Sequence, residues 1–431
     1  MKIELPNQKF RFVTENSQEC DENTAFVQTT QNEKYTLNAK ENNAHSIIKI
    51  EDIASVFGID KIKIVGITGT NGKTTTASAI YSFLLDLGYK VAMQGTRGFF
   101  MNDKVVEGKS LTTPSVLNTY KHIYQAVESG CEFFIMEVSS HAIVQKRIEG
   151  LNFELKVLTN ITQDHLDYHK TLGEYIAVKN SFFQDESKKL INKDEPRAAF
   201  NIKNTCTYGI ENNATYKLIA YSLNNASSGI LQHFQEVVPF TSSLHGFFNL
   251  YNLICAIGAV HMVTGKKLEE LVEVVDNFAG VSGRMEQVCE APNVIVDFAH
   301  TPDGMQQVLN ALREKELLVV FGAGGDRDKE KRPMMGRIAA SLGKKVYITS
   351  DNPRHEDPQT IADNILSGIE DRTNVIIELN RKKAIQMALD DQADEEVVVI
   401  LGKGDEVEQI IYDEKFPFDD RVVVRELLSI K

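Results

Sequence analysis

Five cysteines in 431 residues, none of them spaced as CxxC, leave little room for thiol chemistry. Cys20, Cys131, Cys206, Cys255 and Cys289 lie far apart and are odd in number. That argues against a zinc ribbon, a dithiol redox pair and a disulfide framework, and leaves reduced structural thiols. Prolines number only 10, and no segment is repetitive or of low complexity, so neither disorder nor a repeat array is expected. No apolar run approaches the ~18 residues that cross a bilayer. The start, "MKIELPNQKFRF", lacks the apolar core of a signal peptide, so a cytoplasmic location is expected, with no membrane partner. Basic charge is also short. A net charge of −13 disfavours nucleic acid and acidic membranes as partners. An anionic small ligand would need local cations and backbone N–H groups.

What is present is the composition of a globular α/β protein, 42% apolar and 25% charged. At about 100–200 residues per domain the length suggests several domains, and three are expected. From residue 61 short β-branched or aromatic runs alternate with helical stretches: "KIKIVGI", "TTTASAIYSFLLDLG", "YKVAMQG", "CEFFIMEV", "FELKVLTN". Strands alternating with helices imply parallel βαβ units, with ligands at the carboxyl ends of the strands. Between Lys203 and Phe240 the texture turns to short strands and polar turns, as in an antiparallel insertion or edge. A second alternating series begins at "NVIVDFA" and runs through "ELLVVFG", "KKVYITS", "NVIIEL" and "EVVVILG". The first 60 residues are polar and show little apolar period, enough for a small module at most.

The chemistry concentrates in a few runs. "GITGTNGKTTT" (Gly66–Thr76) follows an apolar strand and opens a helix, so backbone N–H groups and the helix dipole converge on an anion. Lys73 would reach the outer phosphates, and the Thr74 hydroxyl would ligate Mg²⁺. The familiar spacing GxxxxGK(S/T) is not met, because Ile67 stands where the first glycine belongs. In "FFIMEVSSHA" Glu137 ends a strand beside that loop, where a carboxylate can hold Mg²⁺; alone it reads as a solvated strand end. "LTNITQDHLDYHK" offers Asn160, Asp164, His165 and His169, but Leu166 stands where HExxH needs glutamate, which rejects a zinc-protease helix. Lys179 in "GEYIAVKNSFF" sits among apolar residues. Alone it reads as a snorkelling lysine, although a desolvated amine can also take up CO₂. "FGAGGDRDKEKRP" fails GxGxxG at Arg327; its cations Arg327, Lys329, Lys331 and Arg332 could clamp carboxylates instead. Arg354 in "SDNPRHEDP" reads alone as a solvated turn residue.

In chain order, "TGTNGKTTT", "LTTPS", "MEVSSHA", "NITQDHLDYH", "AVK", "HGFFNLYN", "GRME", "DFAHTPD", "GDRDKEKRP", "DNPR" and "GKGDE" resemble the Mur ligases, and within them the branch that adds diaminopimelate. The resemblance runs from about residue 61 to 406, and the compact glycine spacing is that family's own. It implies an α/β protein of three domains: a small, shortened UDP-sugar module (1–60), a central P-loop ATPase (61–281) and a Rossmann-like domain for the amino acid (282–431). It implies ATP and Mg²⁺ as cofactors, UDP-MurNAc-L-Ala-D-Glu and meso-diaminopimelate as partners, and a monomer. The reaction implied is amide formation through an acyl phosphate.

By position, the resemblance gives ATP Gly69, Thr70, Asn71, Gly72, Lys73, Thr74, Thr75, Asn252, Arg284, Asp297 and His300. Metal ligands would be Thr74, Glu137, His165 and Lys179, the last as its carbamate; with Lys73 and Arg284 these make the catalytic set. The UDP-sugar peptide would meet Ser17, Thr112, Thr113, Ser139, Gln145 and Arg147. Diaminopimelate would meet Arg327, Asp351, Asn352, Pro353, Arg354, Gly402 and Glu406, with Arg354 gripping the distal carboxylate that lysine lacks. The chain departs from the family pattern at Asn16 and Gln18, where Asp and Arg are usual, and at Asp405, where histidine is usual. Folylpolyglutamate synthetase, which shares the ATPase core, is the rival enzyme; a nucleotide-gated ATPase switch is the rival of another class.

Overall fold

The computed structural model describes residues 2–5, 9–109, 111–223 and 227–429. Its strands form three main sheets in chain order and a small hairpin. The first sheet has four strands: Lys2–Glu4 runs antiparallel to Phe12–Thr14, which continues in parallel to Thr24–Gln28 and Ser46–Lys49. This module is more than its polar composition suggests. Ile3, Val13, Ala25, Val27 and Ile48 point inward and share one core with Phe57, Tyr120, Ile123 and Phe134 of the body that follows. Strands of three to five residues carry too few alternations to signal themselves, and the surface that closes their apolar face comes from elsewhere in the chain.

The central sheet has eleven strands, of which seven are parallel, in the order Tyr216–Ser222, Thr205–Gly209, Lys189–Asn192, Phe153–Leu158, Lys63–Thr68, Phe133–Glu137, Val91–Gly95. Antiparallel ribbons extend both edges. The antiparallel insertion expected near residues 203–240 is corrected in its first half: Thr205–Gly209 and Tyr216–Ser222 continue the parallel sheet, and only Ser227–His233 and Glu236–Ser242 form an antiparallel ribbon, with residues 224–226 outside the described residues. The middle strand, Lys63–Thr68, is buried at every position after Lys63, which is why it reads as an unbroken apolar run.

Helices Lys73–Asp86 and Phe247–Thr264 cover the same core, with Ile80, Phe83, Leu253 and Ile257 fully buried between them and the sheet. Each such side chain contributes roughly 1.5–3 kcal/mol on burial. Helix Phe247–Thr264 qualifies the expectation about apolar runs: it has 18 residues and a mean hydropathy of 1.4, enough by length and composition to cross a membrane. It lies inside the fold as a core helix, 67% buried.

The third sheet has six strands, in the order Glu286–Cys289, Val294–Asp297, Val397–Leu401, Leu317–Phe321, Lys345–Ile348, Val375–Ile377, parallel except at the first edge. All five cysteines are free thiols. The carboxyl ends of the second and third sheets, Thr68, Glu137, Leu158 and Asp297 among them, bracket the cleft in which the motif residues gather.

Candidate active site

Gly69 and Gly72 make the turn between strand Lys63–Thr68 and helix Lys73–Asp86. Gly72 caps the helix at φ +81, and a Cβ there would lie 2.4 Å from Asn252 Oδ1; at Gly69 one would lie 1.8 Å from Thr159 Oγ1. The backbone can therefore close in only without side chains. The loop is braced by its neighbours: Asn71 N–H donates to Asn160 Oδ1 (2.8 Å), and Thr162 N–H donates to Thr70 Oγ1 (2.9 Å).

Two lysine side chains meet at one carbonyl. Lys73 Nζ donates to Gly69 O and Thr70 O, each at 2.9 Å, and Lys179 Nζ donates to Gly69 O at 2.7 Å. Lys179 lies 4.8 Å over the Tyr175 ring, and no carboxylate pairs with it among the described residues. Burial first, and then the charge of Lys73, push the Lys179 amine well below its ordinary value. Burial lowers Lys73 too, against the pull of Glu137 and Asp164. Lys179 is thus a buried amine on the helix Leu172–Ser181, not a snorkelling side chain.

Glu137 is 2% exposed and accepts from Thr74 Oγ1 (2.9 Å) and from Thr96 N–H (2.9 Å). No ammonium or guanidinium pairs with it among the described residues. A buried carboxylate beside a threonine hydroxyl is an oxygen-donor set that fits a hard divalent cation. His165 sits across the cleft at φ +53, its Nε2 3.3 Å from Asp164 Oδ2. Burial pushes its imidazole down from the ordinary value, against the attraction of Asp164, which favours the neutral ring able to ligate.

Beyond the loop opens a cavity of about 330 Å³, lined by Asn71, Gly72, Thr75, Asn252, Arg284 and Asp297. The Arg284 guanidinium stacks on Phe298 at 4.2 Å. Asp297, raised by burial, accepts from the N–H groups of Met285 (2.7 Å) and Ala299 (2.6 Å). His300 is half-buried beside Phe298, with Nδ1 3.0 Å from its carbonyl. Asn71 Nδ2 reaches across to Asp303 Oδ2 of the third-sheet body at 2.8 Å.

On that body the turn Asp351–Arg354 is held from both sides. Backbone bonds tie Arg354 to Ile410 and Tyr412 of the hairpin Glu408–Pro417. The fully buried Lys403 ammonium donates to Asn352 Oδ1 (3.1 Å), Glu406 Oε2 (3.0 Å) and Glu408 O (2.7 Å). Arg354 Nη1 donates to Gly325 O (2.8 Å), and a Cβ on Gly402 would lie 2.5 Å from Asp351 Oδ2. Asp351, Asn352, Pro353, Arg354, Gly402 and Glu406 therefore form one constellation. Arg327 stands at its rim, 3.8 Å from Asp167 of the central body. The idea that all four cations of "GDRDKEKRP" clamp carboxylates of a ligand is corrected. Arg332 is fully buried and spent on Glu356, to which Lys329 also turns.

Residues 67–260 match the family model described as Mur ligase middle domain, and residues 283–404 match the one described as Mur ligase, glutamate ligase domain. A protein of Wolinella succinogenes named "UDP-N-acetylmuramoyl-L-alanyl-D-glutamate--2,6-diaminopimelate ligase" is 50% identical over 100% of this chain and 99% of its own length. This chain is a Mur ligase. A Helicobacter pylori protein of the same name is 48% identical over 97% of the chain and 95% of its own length. A solved structure bearing that ligase name superposes with a TM-score of 0.68 at 29% identity, covering 99% of this chain and 97% of that one. Mycobacterium tuberculosis folylpolyglutamate synthase, at a TM-score of 0.67 but 16% identity over 82% of this chain and 91% of that one, shares the fold.

In this Mur ligase a second cavity lies where the first module meets the central body, lined by Glu15, Thr29, Asn32, Ser115, Gln145 and Arg147 among others. Arg147 Nη1 donates to Thr113 O (2.7 Å). Two expected contact residues are spent on the framework. Thr113 Oγ1 donates to Glu137 O (2.8 Å), and Ser139 Oγ caps the helix Ser140–Val144 by accepting from Ala142 N–H (3.2 Å). Thr112 Oγ1 meets Thr96 Oγ1 at 3.1 Å. Ser17 is buried, with its carbonyl bonded to Asn42, and does not line the cavity; Glu15, which sequence reasoning passed over, does. Thr96, Lys403 and Asp303 were equally silent in the sequence. Each acts through a partner far along the chain, and no local spacing marks them.

Proposed function

We propose that this Mur ligase joins meso-diaminopimelate to UDP-MurNAc-L-Ala-D-Glu, with one ATP converted to ADP and phosphate through an acyl phosphate. The observation that carries this is the constellation around Arg354 on the third-sheet body, backed by relatives of the same name along the whole chain. Arginine in a fixed turn suits a bidentate carboxylate, and Glu406 beside it suits an ammonium; diaminopimelate offers both at its far end. The folylpolyglutamate reading rests on shared fold alone.

In this reading ATP lies in the cavity beyond the loop, its phosphates on the N–H groups of 69–75 and Lys73. Arg284 and Lys73 offset the charge that gathers between the γ-phosphate and the attacking carboxylate. Mg²⁺, held by Thr74, Glu137, His165 and carbamylated Lys179, would add to that neutralisation. The peptide arrives through the second cavity, past Gln145 and Arg147. The amine attacks from the third-sheet body, so its domain must be seated against the central one. The functional units are assigned to 1–60, 61–281 and 282–431, in a chain that acts as a cytoplasmic monomer.

Phosphate release from ATP, with the UDP-sugar dipeptide and one amino acid at a time, tests the substrate assignment. Turnover is expected with meso-diaminopimelate and little with lysine; equal rates would refute it. A second expectation concerns Lys179, a buried amine whose hydrogen bond goes to the Gly69 carbonyl and which no carboxylate pairs with among the described residues. Intact-protein mass spectrometry under bicarbonate should show one added CO₂, absent in Lys179→Ala. The variant's rate should fall at least about 100-fold, on the scale of losing one preorganised electrostatic group. Full activity in Lys179→Ala would remove the role.

A further inference from the structure

Away from the ligase cleft, His233, Glu236 and His261 come together from three elements. His233 ends the strand Ser227–His233, Glu236 opens the strand Glu236–Ser242 directly opposite, and His261 lies in the last turn of the core helix Phe247–Thr264. One ligand atom from each lies within 4.8 Å of the others. His233 Nδ1 is 4.0 Å from Glu236 Oε2, and the two imidazole centres are 4.8 Å apart.

Each side chain is oriented by a further contact. The Tyr216 hydroxyl meets His261 Nδ1 at 2.7 Å, which leaves Nε2 as the ligating atom. Leu268 N–H donates to Glu236 Oε1 (3.3 Å), turning Oε2 toward the imidazoles. The His233 ring stacks on Tyr216, with centroids 4.6 Å apart and planes at 11°. Partners that fix tautomer and ring angle in this way are what metal-ligating histidines possess. Burial lowers both imidazoles, so their lone pairs are free at neutral pH. All three groups are half-buried and can be reached by an ion.

We propose that His233, Glu236 and His261 bind a borderline divalent transition cation, zinc being the natural occupant, and that the ion fastens the edge hairpin to the core helix. Two imidazoles and one carboxylate suit zinc rather than magnesium, with water in the fourth position. Metal–ligand bonds of about 2.0–2.2 Å require the donor atoms to draw together by roughly an ångström, a movement within the torsional reach of a glutamate and a hairpin histidine. His261 is about 14 Å along the helix from Asn252, so the ion sits away from the nucleotide and is not needed for turnover.

The test is zinc uptake by the metal-stripped full-length protein without ATP, measured by calorimetry, alongside the visible spectrum with cobalt(II) alone. Because the ligase cleft also holds ligating groups, the informative quantity is the difference between variants. The wild type should take up one zinc more than His233→Gln/His261→Gln and show cobalt absorption that this variant lacks. Tyr216→Phe, which keeps the stacked ring but loses the hydroxyl on His261, should bind that zinc about 10–100-fold more weakly. Glu236→Gln keeps the shape of the hairpin and should also weaken it. Ligase rates of all these variants should match the wild type. Equal zinc stoichiometry in the wild type and the double histidine variant, or no cobalt absorption difference, would overturn the proposal.

Discussion

Lys73→Ala should lower ATP-dependent ligation by about 10²–10³-fold in kcat, the range observed when one preorganised group that offsets developing charge is removed. The loop supplies N–H groups with or without this side chain, so nucleotide affinity should fall less than kcat. The lysine is half-buried, and its pKa is pushed down by that burial, which means the folded protein bears part of the cost of dehydrating an ammonium. Removing it relieves that cost, and Gly69 O keeps its bond from Lys179. The melting temperature of the apoprotein should therefore hold steady or rise while activity collapses. A variant that lost activity in proportion to lost folding would show Lys73 to be structural.

Arg354→Ala should reduce kcat/KM for meso-diaminopimelate by about 10²–10³-fold, since truncating one partner of a desolvated charge pair costs roughly 2–5 kcal/mol and each 1.4 kcal/mol is tenfold. The loss should fall on the amino acid's KM, with ATP's KM unchanged, because Arg354 belongs to the turn on the third-sheet body and not to the nucleotide cavity. Arg354→Lys keeps the charge but not the planar fork, and should recover only part of the loss. Lysine turnover, already slight, should change little, so the preference between the two amino acids narrows. An Arg354→Ala variant that kept its preference for diaminopimelate would place recognition elsewhere.

The features legible in the sequence are those whose constraint is local. A glycine turn between a buried strand and a helix imposes its pattern on nine consecutive residues, and the alternation of strand and helix imposes another over the rest of the chain. Glu137 and Lys179 were different. Alone, one reads as a strand end and the other as a snorkelling side chain; only their place in an ordered series of motifs gave them meaning, and the fold buries both. Contacts between distant segments left no trace. Asn71 meets Asp303 across 232 positions, and Lys403 grips Asn352 across 51. Arg332 misled because a cation in a charged run looks available, whereas a three-dimensional partner, Glu356, had already claimed it. The hairpin histidine site was invisible for the same reason: His261 lies on an apolar helix whose other face is core.

The first module's core runs without a break into the central body: Phe57 lies 6.0 Å from the Tyr120 ring and 5.8 Å from that of Tyr124. Its evolutionary consequence is that the module is not a cassette. Exchanging it for a different module would have to carry matching changes on helix Val116–Glu128, or leave Tyr120 and Ile123 as a bare, adhesive face. A substitution on either side of this seam is therefore expected to need an answering one on the other.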